Sequence, residues 1–253
     1  MIGTLRAEFL KLRTIRTTYG LLLGVVALVS LQVVSLILTA GINDGARGLT
    51  DPSVARSVWS SSGSATILVL TIGIIMMTSE YRHMTITSTF LATPIRGRVL
   101  AAKMFAAAVA GLLTGVLCVL LVLGVASALL ATREHATVAN STIAAISGGA
   151  ILAYAIYAVL GVAVGALIRI QPLAVMVSVV YVFIVEPLIA ALVPKVGRWL
   201  PGGATNAILQ NQGFGNFTES DYLPIGGAAL LLVGYGLAFA VIASRTTLRR
   251  DIT

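Results

Sequence analysis

Six stretches of this chain, at about residues 19–40, 61–79, 100–131, 140–167, 172–193 and 223–243, are each long and apolar enough to cross a bilayer. A hydrocarbon core about 30 Å thick needs roughly 20 helical residues. The third stretch exceeds that length, so it must tilt, bend or project from the membrane. The apolar residues come in blocks and not in the alternating pattern of an outer-membrane barrel. Only 10% of the residues are charged, against about 25% in a soluble domain. The expected fold is an all-α polytopic membrane protein, one transmembrane domain over residues 1–253.

Six spans put both termini on one side, and the basic residues choose the side. Cytoplasmic termini assign Arg6, Lys11, Arg13, Arg16, Arg82, Arg96, Arg98, Lys103, Arg169, Arg245, Arg249 and Arg250 to the interior. Arg47, Arg56, Arg133, Lys195 and Arg198 fall outside. Lys and Arg accumulate on cytoplasmic loops, so twelve against five fixes the orientation. The net charge of +8 therefore follows from membrane topology and does not call for nucleic acid. A single cysteine, Cys118, in an apolar run reads as a small buried hydrophobe. His83 and His135 are far apart and suggest no metal centre.

Residues 2–17 precede the first span and are too polar to enter it. Ile2, Leu5, Phe9 and Leu12 make one helical stripe, with Arg6, Lys11 and Arg13 off it, which predicts an amphipathic helix on the inner membrane surface. The rival is a signal peptide, for which the apolar run is long and Leu38-Thr39-Ala40 is a poor cleavage site. On the outer side, residues 41–60 and 194–222 are the only loops of any size. Within the second, Trp199-Leu200 and Ala207-Ile208-Leu209 suit either a short re-entrant element or an interfacial loop.

Between spans 2 and 3 the chain reads EYRHMTITSTFLATPIRGRVLAAK. Glu80 sits where span 2 reaches the cytoplasm and should face water, a neighbouring Arg or another subunit. Met84, Phe90 and Leu91 among threonines, closed by Pro94, predict a short amphipathic helix and turn, suited to docking on a soluble partner. The plainer reading is an ordinary basic loop. Glu186, in VFIVEPLIAAL, is the one acid well inside a span. Such a group serves a cationic substrate or a proton relay, or else bonds to exposed backbone or a Lys/Arg. The G-x-x-x-G pairs Gly20/Gly24, Gly111/Gly115 and Gly161/Gly165 permit close helix packing, within the chain or between copies. No G-x-x-x-x-G-K-[ST] phosphate loop is present, so ATP is not bound by that route. No Ser/His/Asp or paired-carboxylate arrangement points to an enzyme.

The pattern Glu80, Tyr81, Arg82, Thr85, then Leu91, Pro94, Arg96, Arg98 and Lys103 resembles the cytoplasmic loop of ABC exporter permeases of the type-2 class. AEFLKLRT is similar to that family's surface helix, and WLPGGATNAI to its outer segment before the last span. His83-Met84 departs from the pattern, which has a Gly ahead of the threonine. The resemblance implies that Glu80 and Arg82 position the loop over 80–99. Thr85 to Leu91, including Thr87, Thr89 and Phe90, would form a coupling helix closed by Pro94 and Arg96 and seated on an ATPase. Glu8, Lys11 and Arg13 would flank that contact. It implies two copies of an ABC ATP-binding subunit, with ATP and Mg on that partner and no cofactor on this chain. It also implies a homodimer, a multi-pass place in a bacterial plasma membrane, and export of a hydrophobic or amphipathic cargo such as an antibiotic, drug or lipid. The rivals are a gradient-driven transporter or channel using Glu186, and a non-transporting scaffold or sensor subunit.

Overall fold

The computed structural model describes residues 2–14, 16–42, 48–83, 96–211 and 222–249. All regular structure among them is helical: α1 (Ile2–Thr14), α2 (Arg16–Thr39), α3 (Pro52–Ser60), α4 (Thr66–Arg82), α5 (Arg96–Leu130), α6 (Asn140–Ile168), α7 (Gln171–Val180), α8 (Glu186–Leu192), α9 (Pro194–Gly197), α10 (Pro201–Ile208) and α11 (Ile225–Arg249). Six helical runs are long and apolar enough to span a membrane: Thr17–Thr39, Pro52–Arg82, Gly97–Leu130, Asn140–Ile168, Gln171–Leu192 and Ile225–Arg245. The chain is a multi-pass helical membrane protein.

Span 2 begins earlier than the sequence indicates. Residues 52–60 are not loop but helix α3, with Pro52 in its first turn. The Asp51 carboxylate caps it by accepting the Ser53 N–H at 2.8 Å. Proline is favoured there because the first helical N–H has no partner to lose. A 3-10 turn, Ser61–Gly63, joins α3 to α4. The buried N–H of Ala65, at the break, is met by the Tyr154 hydroxyl of span 4 at 3.3 Å.

Spans 2 and 4 are the most enclosed elements, while spans 1, 5 and 6 leave most of their apolar surface outward. Glycine sets this arrangement. A Cβ on Gly73 would collide with the Ala158 carbonyl, and one on Gly161 with the Leu70 carbonyl. The two backbones therefore touch along a seam. Gly111 and Gly115 play the same part between spans 3 and 4, where added carbons would meet Tyr154 and Ile151. Two of the three G-x-x-x-G pairs thus serve packing within the chain. Gly20 has open space around it, and Gly24 only an ordinary contact with Leu68.

After span 5 the chain forms the helices α9 and α10. Helix α10 packs inside the bundle: Ala204, Ala207, Ile208 and Leu209 are buried, while Trp199 is exposed. Ile208 covers Gly149 of span 4 and Leu209 covers Gly63. Within this segment α10 packs against the bundle, with Trp199 outside it.

Gly161→Val should lower unfolding stability in detergent by about 1–3 kcal/mol, the cost of overpacking a tight core. Gly124→Ala, which meets nothing within 4 Å, should stay within about 0.5 kcal/mol of wild type. Midpoints of denaturant unfolding compare the two.

Candidate functional site

Two polar centres occupy opposite ends of the bundle. The first gathers Glu8 and Lys11 of α1, Glu80 of span 2 and Lys103 of span 3. Lys103 lies on α5 beyond Arg96 and Arg98, where the helix is already apolar. Its ammonium donates to Glu8 Oε2 at 2.8 Å, to Glu80 Oε1 at 2.7 Å and to the Met76 carbonyl at 3.3 Å. All three N–H donors of the lysine are used. Lys11 completes the ring, 2.5 Å from Glu80 Oε1 and 3.2 Å from Glu8 Oε1. Glu8, Glu80 and Lys103 are buried, while the Lys11 side chain is 42% exposed. Two carboxylates and two ammonium groups alternate, so the cluster is neutral and joins three separated elements. Among the described residues Glu80 Oε2 is buried without a hydrogen-bond partner.

This differs in detail from the expectation. Glu80 is shielded not by Arg82, whose side chain is exposed, but by two lysines. Glu8 and Lys11 turn inward to Glu80, whereas Arg13 is exposed and contributes its carbonyl to the Tyr19 hydroxyl at 2.7 Å. The inward face of α1 carries Glu8 with Leu12, and Phe9 of the apolar stripe is exposed. Thr85, Thr87, Thr89, Phe90, Leu91 and Pro94 lie outside the described residues, as does the side chain of Arg96. Lys103 stands in the loop pattern read from the sequence, but no pairing role was given to it there. Its signal was a lone lysine, in VLAAKMF, past the point where the apolar run begins.

Burial pulls the Lys11 ammonium down, but its bond to Glu80 and the nearby Glu8 charge outweigh this and leave it above the ordinary 10.5. A raised lysine stabilises the fold below its unfolded value and loses that effect as pH climbs through the folded one. The Lys11 contribution is therefore intact at neutral and mildly alkaline pH.

The second centre is Glu186. Pro187 has no N–H to give, and its ring would clash with the Phe183 carbonyl in a regular helix. The chain answers with a wide π turn, Tyr181–Val185, closed by the Glu186 N–H on the Tyr181 carbonyl. Glu186 is 1% exposed. Its Oε1 accepts the N–H of Gly202 at the start of α10, where free amides and the helix dipole favour an anion. A Cβ on Gly202 would sit 2.8 Å from the carboxyl carbon, so the glycine admits the acid. The backbone-bonding role considered for Glu186 is the observed contact.

Two cavities meet at this carboxyl group. One, of about 360 Å³, is walled by apolar side chains of spans 2, 4, 5 and 6, with Tyr157, Tyr181, Tyr235 and Phe239. The other, of about 290 Å³, is lined by polar groups including Gln32, Ser57, Ser64, Thr205 and Asn206. Both lie within one chain. Nineteen residues of span 2 separate Ser61 from Glu80, about 28 Å at the helical rise, so the two centres share no side chain. Among the described residues no group of three His, Cys, Asp or Glu is placed to hold a metal. No protein-family model matches the chain, and no curated protein matches it.

Lys103→Met should cost about 3–5 kcal/mol of stability, because two buried carboxylates are left to share the single, half-exposed charge of Lys11. Lys11→Met, at a partly exposed position, should cost at most about 1 kcal/mol. Its difference from wild type should close only as pH climbs past 10.5. Unfolding midpoints across pH test both.

Proposed function

We propose that this chain is the membrane subunit of an ATP-driven ABC exporter of the type-2 class. It would work as a homodimer with two copies of a separate ATP-binding subunit. The observation that carries the reading is the Glu8–Lys103–Glu80–Lys11 cluster. The loop between Arg82 and Arg96 is the segment that resembles a coupling element. The cluster fastens both of its flanking spans, and the N-terminal helix, into one unit. A force applied to that loop by a partner therefore moves α1, span 2 and span 3 together instead of bending one of them.

In this reading the loop faces the cytoplasm, as the distribution of basic residues requires, and the ATPase seats on residues 85–91. ATP-driven closure of the ATPase pair pushes the loops. The bundles then shift as rigid bodies between inward- and outward-open states. Hydrolysis belongs to the partner, which holds ATP and Mg. The apolar walls of the larger cavity suit a hydrophobic or amphipathic small molecule. The competing reading, a gradient-driven transporter, draws on the buried Glu186; its carboxyl group is held by backbone of α10.

Extraction of the tagged chain in mild detergent should bring down a stoichiometric ABC-type ATPase, identified by mass spectrometry. Phe90→Asp should abolish that association, or cut cargo-stimulated ATP hydrolysis by about tenfold or more, an effect of about 1.4 kcal/mol. A chain that purifies alone in several mild detergents, yet still transports, removes the ATP-driven reading.

A further inference from the structure

We infer that Glu186 and the tyrosines around it form a binding site for a lipophilic organic cation, a cargo class narrower than the transport reading on which this inference rests. Three features meet there. The first is charge. Glu186 is a fully buried carboxylate, and no ion pair reaches it among the described residues. Its Oε1 accepts the Gly202 N–H, a partner that brings no full positive charge. Glu80, at the far end of the bundle, is by contrast matched by two lysines. A buried carboxyl group with no basic partner among the described residues is suited to a cation from outside the chain.

The second feature is the wall. Tyr157, Tyr181, Tyr235 and Phe239 line the same cavity as Glu186. The faces of such rings attract ammonium and phosphonium groups. An inorganic ion requires several oxygen ligands, which these apolar walls do not supply. At about 360 Å³, the cavity falls within the range of roughly 300–1,000 Å³ that holds small organic ligands.

The third feature is position. The carboxyl group borders both the apolar cavity and the polar one beyond it. A cation with apolar substituents would rest its body among the rings, place its charge at Glu186 and face hydroxyl and amide groups on the far side. The arrangement provides a resting point on a path from hydrocarbon towards a polar outlet.

Equilibrium dialysis of radiolabelled tetraphenylphosphonium against the full chain in lipid nanodiscs, with empty nanodiscs as the blank, tests the site. Wild type should bind saturably, and neutral triphenylphosphine oxide should not compete. Glu186→Gln keeps an oxygen to accept the Gly202 N–H but removes the charge, and should weaken binding about tenfold or more. Tyr181→Phe should bind as wild type and Tyr181→Leu several-fold more weakly, a comparison that decides the matter if the Glu186 variant is poorly folded. Unchanged affinity in Glu186→Gln, or equal affinities of the two Tyr181 variants, overturns the inference, as does equal competition by the neutral compound. Because the chain is tested alone, the outcomes separate. Charge-selective binding by a chain that recruits no ATPase keeps the site and removes the ATP-driven reading. A stable ATPase complex without such binding removes the site only.

Discussion

Inside hydrocarbon there is no water to bond a stray N–H or carbonyl, and this requirement governs the polar contacts at the helix breaks. Regular helix satisfies it along the spans. Where the helix breaks, a side chain from another element supplies the missing partner. The Tyr154 hydroxyl meets the Ala65 N–H at the start of α4. Glu186 takes the Gly202 N–H at the start of α10. Ser60 reaches the Leu209 carbonyl at the end of α10 at 2.6 Å, and Arg133 the Ile37 carbonyl at 2.9 Å near the end of span 1. Each repair joins elements distant in sequence, so the irregular backbone is also what locks the bundle.

The ion cluster belongs to a different physical category. Desolvating three charges and part of a fourth is costly, and apolar replacements of similar volume are often as stable. Its value is geometric. A lysine with three donors directed at two carboxylates and a carbonyl fixes α1, span 2 and span 3 in one mutual arrangement, which hydrophobic contacts alone specify less sharply. The tight glycine seam between spans 2 and 4 extends that unit into the centre of the molecule. Spans 1, 5 and 6 leave more of their surface outward.

Span number and approximate limits were legible in the sequence because long apolar runs have few physical solutions. The helical start of span 2 was not, because α3 carries Arg56 and several serines that lower its apolar character, while Asp51-Pro52 was a start signal that hydropathy passes over. Glu80 was recognisable as a carboxylate at a membrane boundary. Its partners were not, because Glu8 and Lys103 lie 72 and 23 residues away and no local pattern joins them. Glu186 was visible as an isolated acid. That it caps a short helix followed only from the packing of α10, which the Gly-Pro composition of residues 194–211 had left open between two readings.

The glycine seam has a consequence for how the chain is made. Spans 2 and 4 meet over a long backbone contact, yet span 4 begins 88 residues after span 2 does. Until it arrives, span 2 presents lipid with a notched surface at Gly73, a serine-rich turn, and an Ala65 amide that has no partner before Tyr154 is inserted. The half-built protein therefore carries a polar wound in its first hairpin. Insertion of the fourth span, which carries Tyr154, closes it.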